Sequence, residues 1–97
     1  MCGIIGITSN KLVSSPIINS LKKLEYRGYD SAGIATIDAG LIKEVKCEGR
    51  VESLEDAVSK SKLTGNVGIG HVRWATHGVP NTINAHPHSS ENVSIVH

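Results

Sequence analysis

The sequence predicts a mixed α+β domain in which an antiparallel-rich sheet carries helices on one face. Three observations lead there. Two β-rich runs, 33–37 (GIATI) and 41–47 (LIKEVKC), flank Asp38-Ala39-Gly40 at the spacing of a hairpin. An apolar stripe at helical spacing, Ile17, Ile18, Leu21 and Leu24, begins just after Ser15-Pro16. The order strand, helix, hairpin, helix, strand, long loop, strand does not alternate as βαβ units do.

Residues 2–8 (CGIIGIT) read as a short buried strand, β-branched apart from two glycines that allow close backbone approach. Ser15 and Pro16 then suit the N-cap and first turn of a helix that Gly28 stops, with Lys22 and Lys23 toward its negative C-terminal end. The hairpin follows. A second helix is predicted over about 53–59, with Val51, Leu54 and Val58 on one face. Residues 67–72 (VGIGHV) form a further strand candidate. The stretch 73–90 holds Gly78, Pro80, Pro87, Asn81 and Asn84, so an irregular path is expected. Residues 92–97 (NVSIVH) alternate like a strand.

Composition bounds the rest. Ninety-seven residues make at most one domain, and one of this size buries only about 60% of its unfolded surface. With three aromatic residues (Tyr26, Tyr29, Trp74) and no Phe, the core is thin, as in part of a larger fold. A net charge of +1 without charge blocks offers no footprint for nucleic acid or a membrane surface. No run approaches a transmembrane length, and the apolar start lacks a basic leader, so a cytoplasmic protein is expected. Cys2 and Cys47 are read as unpaired.

Reactive and backbone-permissive residues concentrate in three places: Cys2-Gly3, the 27–33 stretch RGYDSAG, and HVRWATHG (71–78) followed by NAHPH (84–88). If Met1 is removed, Cys2 carries both a thiol and an α-amine, and a free α-amine titrates near pH 8, low enough to take the thiol's proton. The alternative is a small, inert buried side chain. Arg73 offers a planar fork that matches a carboxylate, or else a partner for a surface acid. Trp74 is suited either to closing over a ligand or to filling a core. Asp30 and Ser31 read as turn formers that place Arg27 near the N-terminus. The five histidines match no zinc spacing, so no metal is expected, and His86 and His88 are left as structural or supporting residues.

Taken together and in order, MCGIIG, EYRGYDSAG, GHVRWATHG and NAHPH resemble the glutaminase domain of the class II, N-terminal-nucleophile glutamine amidotransferases. Within that family the YDSAG and WATHG endings are most similar to the branch that aminates fructose 6-phosphate. The resemblance spans residues 1–97. It implies an αββα sandwich of which only the first part is present, with the sugar isomerase domains absent. It further implies that Cys2 is the nucleophile, with its freed α-amine as base, and that Arg27 positions the N-terminus. By the same resemblance Arg73, Thr76 and His77 are expected to bind glutamine, and Trp74 to gate the pocket and the passage of ammonia. Other acceptors, phosphoribosyl pyrophosphate or aspartate, and a non-catalytic glutamine-binding relative are the alternatives. The full-length protein is expected to be a homodimer without a cofactor. The family's Asn-Gly oxyanion donors follow a Val-His pair, and this sequence ends at that pair, so these 97 residues alone are expected to be inactive.

Overall fold

The computed structural model describes all 97 residues. In chain order the elements are β1 (Gly3–Thr8), α1 (Ser14–Leu24), a 3₁₀ turn (Glu25–Arg27), β2 (Ser31–Asp38), β3 (Leu41–Glu48), α2 (Val51–Ser61), β4 (Val67–Arg73), β5 (His88–Ser89) and β6 (Ser94–Ile95). The first four strands form one antiparallel sheet in the order β1-β4-β2-β3, while β5 and β6 pair separately. Helix α1 lies over β1 and β4, and α2 lies over β3. This is one helical layer on one sheet, the first part of the predicted sandwich.

Burial follows the sequence pattern in the helices, but β1, read from the sequence as a buried strand, is an edge strand in which only Gly3 is buried and Ile4 is 54% exposed, because it pairs on one side alone. Ile17, Ile18 and Leu21 of α1 and Val51 and Leu54 of α2 meet Ala32 and Ile34 of β2 and Val72 of β4 in one core, closed by Val13 and Leu63. The opposite sheet face is covered only in part: His86 and Pro87 sit over Gly33, and Ala35, His71 and Arg73 are buried on it. Ile37 and Val67 remain exposed there, beside an apolar groove shared with Ala35, Ile42 and Ile69. No helix is long and apolar enough to cross a membrane.

Several boundaries differ from the sequence reading, each for a physical reason. Helix α1 starts one residue before Ser15 and has no side-chain cap. Val13, fully buried, starts it instead: its carbonyl accepts from the Ile17 amide at 2.9 Å, and its own amide donates to the Gly65 carbonyl at 3.1 Å. Pro16 then falls in the first turn, where an amide would have no intrahelical partner. The helical path does run to Gly28, but its last three residues tighten into the 3₁₀ turn. Strand β2 begins at Ser31, so the end of RGYDSAG is strand and not loop. Pairing with both β3 and β4 satisfies its backbone on two sides, and that outweighs its turn-like composition. Helix α2 extends beyond 53–59 at both ends. The strand predicted over 92–97 shrinks to β6, because its only partner is the two-residue β5. The hairpin is as expected, with Ala39 and Gly40 both at positive φ (52° and 76°), the sign pattern of a two-residue primed turn.

Candidate active site

Strand register brings the first cluster to the third. Gly3 pairs with Val72, so Cys2 sits beside the end of β4, where Arg73 and Trp74 leave the sheet. Ser31 pairs with Arg73 from the other side, which delivers the 27–31 segment to the same corner. The corner is packed tightly enough to need glycine at position 28. A Cβ there would lie 2.4 Å from the Arg73 carbonyl and 2.7 Å from the Trp74 nitrogen, although Gly28 itself is extended.

The thiol rests against main chain. The Trp74 amide donates to Cys2 Sγ at 3.4 Å, and the thiol can donate back to the Trp74 carbonyl at 3.9 Å. Arg27 Nε donates to the Cys2 carbonyl at 2.8 Å, which anchors the residue from behind without entering the cleft. Met1 is attached and largely exposed, so the Cys2 nitrogen is a peptide amide in this structure. Cys2 and Cys47 are both free. Cys47 packs against the core, and burial pushes its thiol up, away from the reactive thiolate.

Asp30 does more than make a turn. Its carboxylate accepts from the Ala75 amide at 2.5 Å and from the Ser31 hydroxyl at 2.9 Å, and its own amide donates to the Arg73 carbonyl at 3.3 Å. It therefore clamps the 73–75 segment. Sequence reasoning missed this role, because the partner lies 45 residues away.

Arg73 is only 7% exposed. Its guanidinium donates to the carbonyls of Val79 (3.2 Å), His77 and Gly78 (3.4 Å), which wrap the 77–79 loop around it. No carboxylate reaches it; the ion pairs of the molecule are Lys22–Glu55 and Arg50–Glu25. The guanidinium is thus held by carbonyl dipoles without a counter-charge, and Arg73 borders a cleft of about 290 Å³. Cys2, Arg73, Trp74, Thr76 and His77 all border this cleft, with Thr76 and His77 at its exposed rim. Asn84 borders it too and holds the loop by donating to the Val79 carbonyl at 2.9 Å.

The remaining wall is His86, His88 and His97, with the buried His71 packed behind them. His71 and His86 stack with centroids 4.2 Å apart and planes inclined by 22°, and His88 and His97 pack on His86 at 4.4 and 4.6 Å. Rings that meet face to face do not converge their nitrogens, and no group of three or more His, Cys, Asp or Glu residues is arranged to hold a metal. His71 Nε2 lies 2.7 Å from the His97 carbonyl, an acceptor, so Nε2 carries the proton and the buried Nδ1 is a bare lone pair. Burial is the main force lowering the pKa of both rings; His71, His88, His97 and Arg73 add to it at His86, which is pushed down to about 4.

These groups favour the neutral form, and the consequence for stability has a definite sign. An unfolded histidine takes up a proton near pH 6.5, whereas folded His86 resists until about 4, so stability falls as the pH drops through that window. The urea midpoint of the full-length protein is expected to decline from pH 6.5 toward 4, and His86→Phe should flatten the decline. An unchanged slope in that variant would locate the acid sensitivity elsewhere.

No family model matches the chain. Over its full length it is 54% identical to a glutamine–fructose-6-phosphate aminotransferase (isomerizing) of Rhizobium meliloti (strain 1021) and 56% identical to one of Agrobacterium fabrum. A third, from Clostridium acetobutylicum, is 52% identical over 99 aligned residues. The chain spans only 16% of the length of each of these relatives. Among solved structures, the glutamine phosphoribosylpyrophosphate amidotransferase from B. subtilis, complexed with ADP and GMP, superposes with a TM-score of 0.77 and 28% identity, covering 97% of this chain and 20% of that one. Sequence and backbone together make this chain a relative of the N-terminal portion of the glutamine–fructose-6-phosphate aminotransferases, built as the first part of the N-terminal-nucleophile amidotransferase fold.

Proposed function

We propose that residues 1–97 are the N-terminal portion of a glutaminase domain that releases ammonia from glutamine for the amination of fructose 6-phosphate to glucosamine 6-phosphate. One observation carries the reading: Cys2 and Arg73, whose guanidinium has no carboxylate partner, border the same small cleft. A nucleophile and a carboxylate anchor on one cleft suit an amino acid whose side chain reacts. In the proposed sequence Arg73 binds the α-carboxylate of glutamine, with Thr76 and His77 along the substrate. Loss of Met1 frees the Cys2 amine, which takes the thiol proton. Sulfur then attacks the carboxamide carbon, and as the tetrahedral adduct collapses the α-ammonium passes its proton to the departing nitrogen, which leaves as ammonia with a glutamyl thioester remaining on Cys2. Water cleaves the thioester to glutamate and restores the thiol. Arg27 holds the Cys2 carbonyl and so fixes where the new terminus points.

The acceptor rests on the relatives: identity of 50–56% to proteins named for fructose 6-phosphate outweighs 28% to the phosphoribosylpyrophosphate enzyme. The sugar chemistry, a homodimer and a cytoplasmic setting belong to the same proposal. The test is covalent labelling of the full-length protein with a glutamine-shaped diazoketone. Peptide mass spectrometry should find the adduct on Cys2, at an N-terminus lacking Met1, and excess glutamine should protect it. An adduct on Cys47 instead, or an unmodified Cys2 with Met1 in place, would overturn the reading.

A further inference from the structure

Trp74 borders both the Cys2 cleft and a shallow groove made with Tyr29, Asp30, Ala75 and Pro80, so it forms a wall between the two. Trp74 is about half exposed, and the one aromatic ring packed on its indole is Tyr29, in an edge-to-face contact with centroids 5.8 Å apart and planes at 85°. Tyr29 is itself held from beyond. The Arg50 guanidinium sits 4.8 Å from the centre of the Tyr29 ring. Arg50 is the residue that precedes α2, and its Nη1 pairs with Glu25 at 3.2 Å. The other Glu25 oxygen accepts from the Val51 amide at 2.8 Å, which ties the start of α2 to the 3₁₀ turn that carries Arg27.

We propose that Arg50 and Tyr29 are positioning residues that set the orientation of the Trp74 indole at the Cys2 cleft. Neither lines the cleft. The physical argument is a relay of ring contacts. An edge-to-face pair has an angular preference set by the ring quadrupoles, so a fixed Tyr29 restricts how far the indole can turn. Tyr29 is half exposed and would be free to rotate, but a cation over its ring gives one orientation an electrostatic advantage. Glu25 in turn keeps Arg50 from leaving, since it is already fixed by its bond to the α2 amide. The helix start thereby reaches the cleft wall through two side chains, while the thiol itself is held only by the main chain of residue 74.

This inference rests on the glutaminase reading for its kinetic consequence but not for its structural one, and the experiment separates them. Full-length protein is labelled with 5-fluorotryptophan, and the Trp74 ¹⁹F resonance is identified as the one lost in Trp74→Phe. Arg50→Met and Tyr29→Leu should shift or broaden that resonance, whereas Arg50→Lys and Tyr29→Phe, which keep the cation and the ring, should hold it close to its original position. The disrupting pair should raise KM for glutamine by about two- to fivefold, the factor that loss of an exposed cation–π contact allows, with kcat changed by less than about twofold. A Trp74 resonance that does not move in Arg50→Met, or that moves equally in Arg50→Lys, overturns the proposal. If the resonance responds as described but the unsubstituted protein turns over no glutamine, the positioning relay stands and the glutaminase reading falls.

Discussion

Cys2→Ala should abolish glutamine turnover in the full-length protein, lowering kcat by at least about 10³-fold, while leaving the fold intact. The activity loss follows from chemistry: a methyl group can neither attack the carboxamide nor carry the acyl group, and removal of a covalent nucleophile elsewhere costs up to about 10⁶ in kcat. Stability follows from geometry. The thiol gives up only two long contacts to the Trp74 backbone, at 3.4 and 3.9 Å, and Cys2 is partly solvent-accessible, so the unfolding free energy should fall by less than about 1 kcal/mol. Glutamine binding by calorimetry should survive, because Arg73 and its carbonyl cradle are untouched. Residual turnover above a tenth of the original rate would show that sulfur is not the nucleophile.

Gly33→Ala is expected to be the most damaging single-methyl change in the molecule. Gly33 lies in the central strand β2, and a Cβ there would sit 1.9 Å from the His86 carbonyl oxygen and 2.9 Å from Pro87 Cδ. Neither side can yield cheaply. Strand β2 is laddered on both edges, and Ala85, His86 and Pro87 are all buried. Forcing them apart should cost about 3 kcal/mol or more, the upper end of the overpacking range. It should also move the imidazole wall of the cleft and depress glutaminase activity. Gly6→Ala supplies the control. It too is a strand glycine, but its new methyl would meet nothing closer than 3.9 Å, so the change should stay within about 0.5 kcal/mol. Equal urea midpoints for the two variants would contradict the packing described here.

Most of the architecture could be read from local signals. The hairpin is written in a few adjacent residues, and the stripe Ile17, Ile18, Leu21 is buried as its spacing predicts. The residues of the cleft could be picked out too, through the resemblance carried by MCGIIG, EYRGYDSAG and GHVRWATHG, and the structure gathers Cys2, Arg73, Trp74, Thr76 and His77 around one cavity; their roles there belong to the proposed function. What escaped were relations between distant segments. Asp30 looks like a turn former until the Ala75 amide is placed against it. Gly33 looks like a weak point in a strand until the His86 carbonyl arrives. Ser15 looked like a cap because hydroxyls usually serve there, but a buried Val13 tied to Gly65 decides where the helix begins. The alternation in 92–97 says which residues can share a face and nothing about how long a partner strand will be.

The sulfur of Cys2 leans on the peptide group at position 74 and not on the indole. On the proposed reading, anchoring the nucleophile and walling the cleft therefore fall to different parts of the same amino acid. The side chain at position 74 can therefore be exchanged for another while the backbone contact that holds the sulfur stays in place, so the wall of the cleft is free to vary independently of the post that carries the thiol.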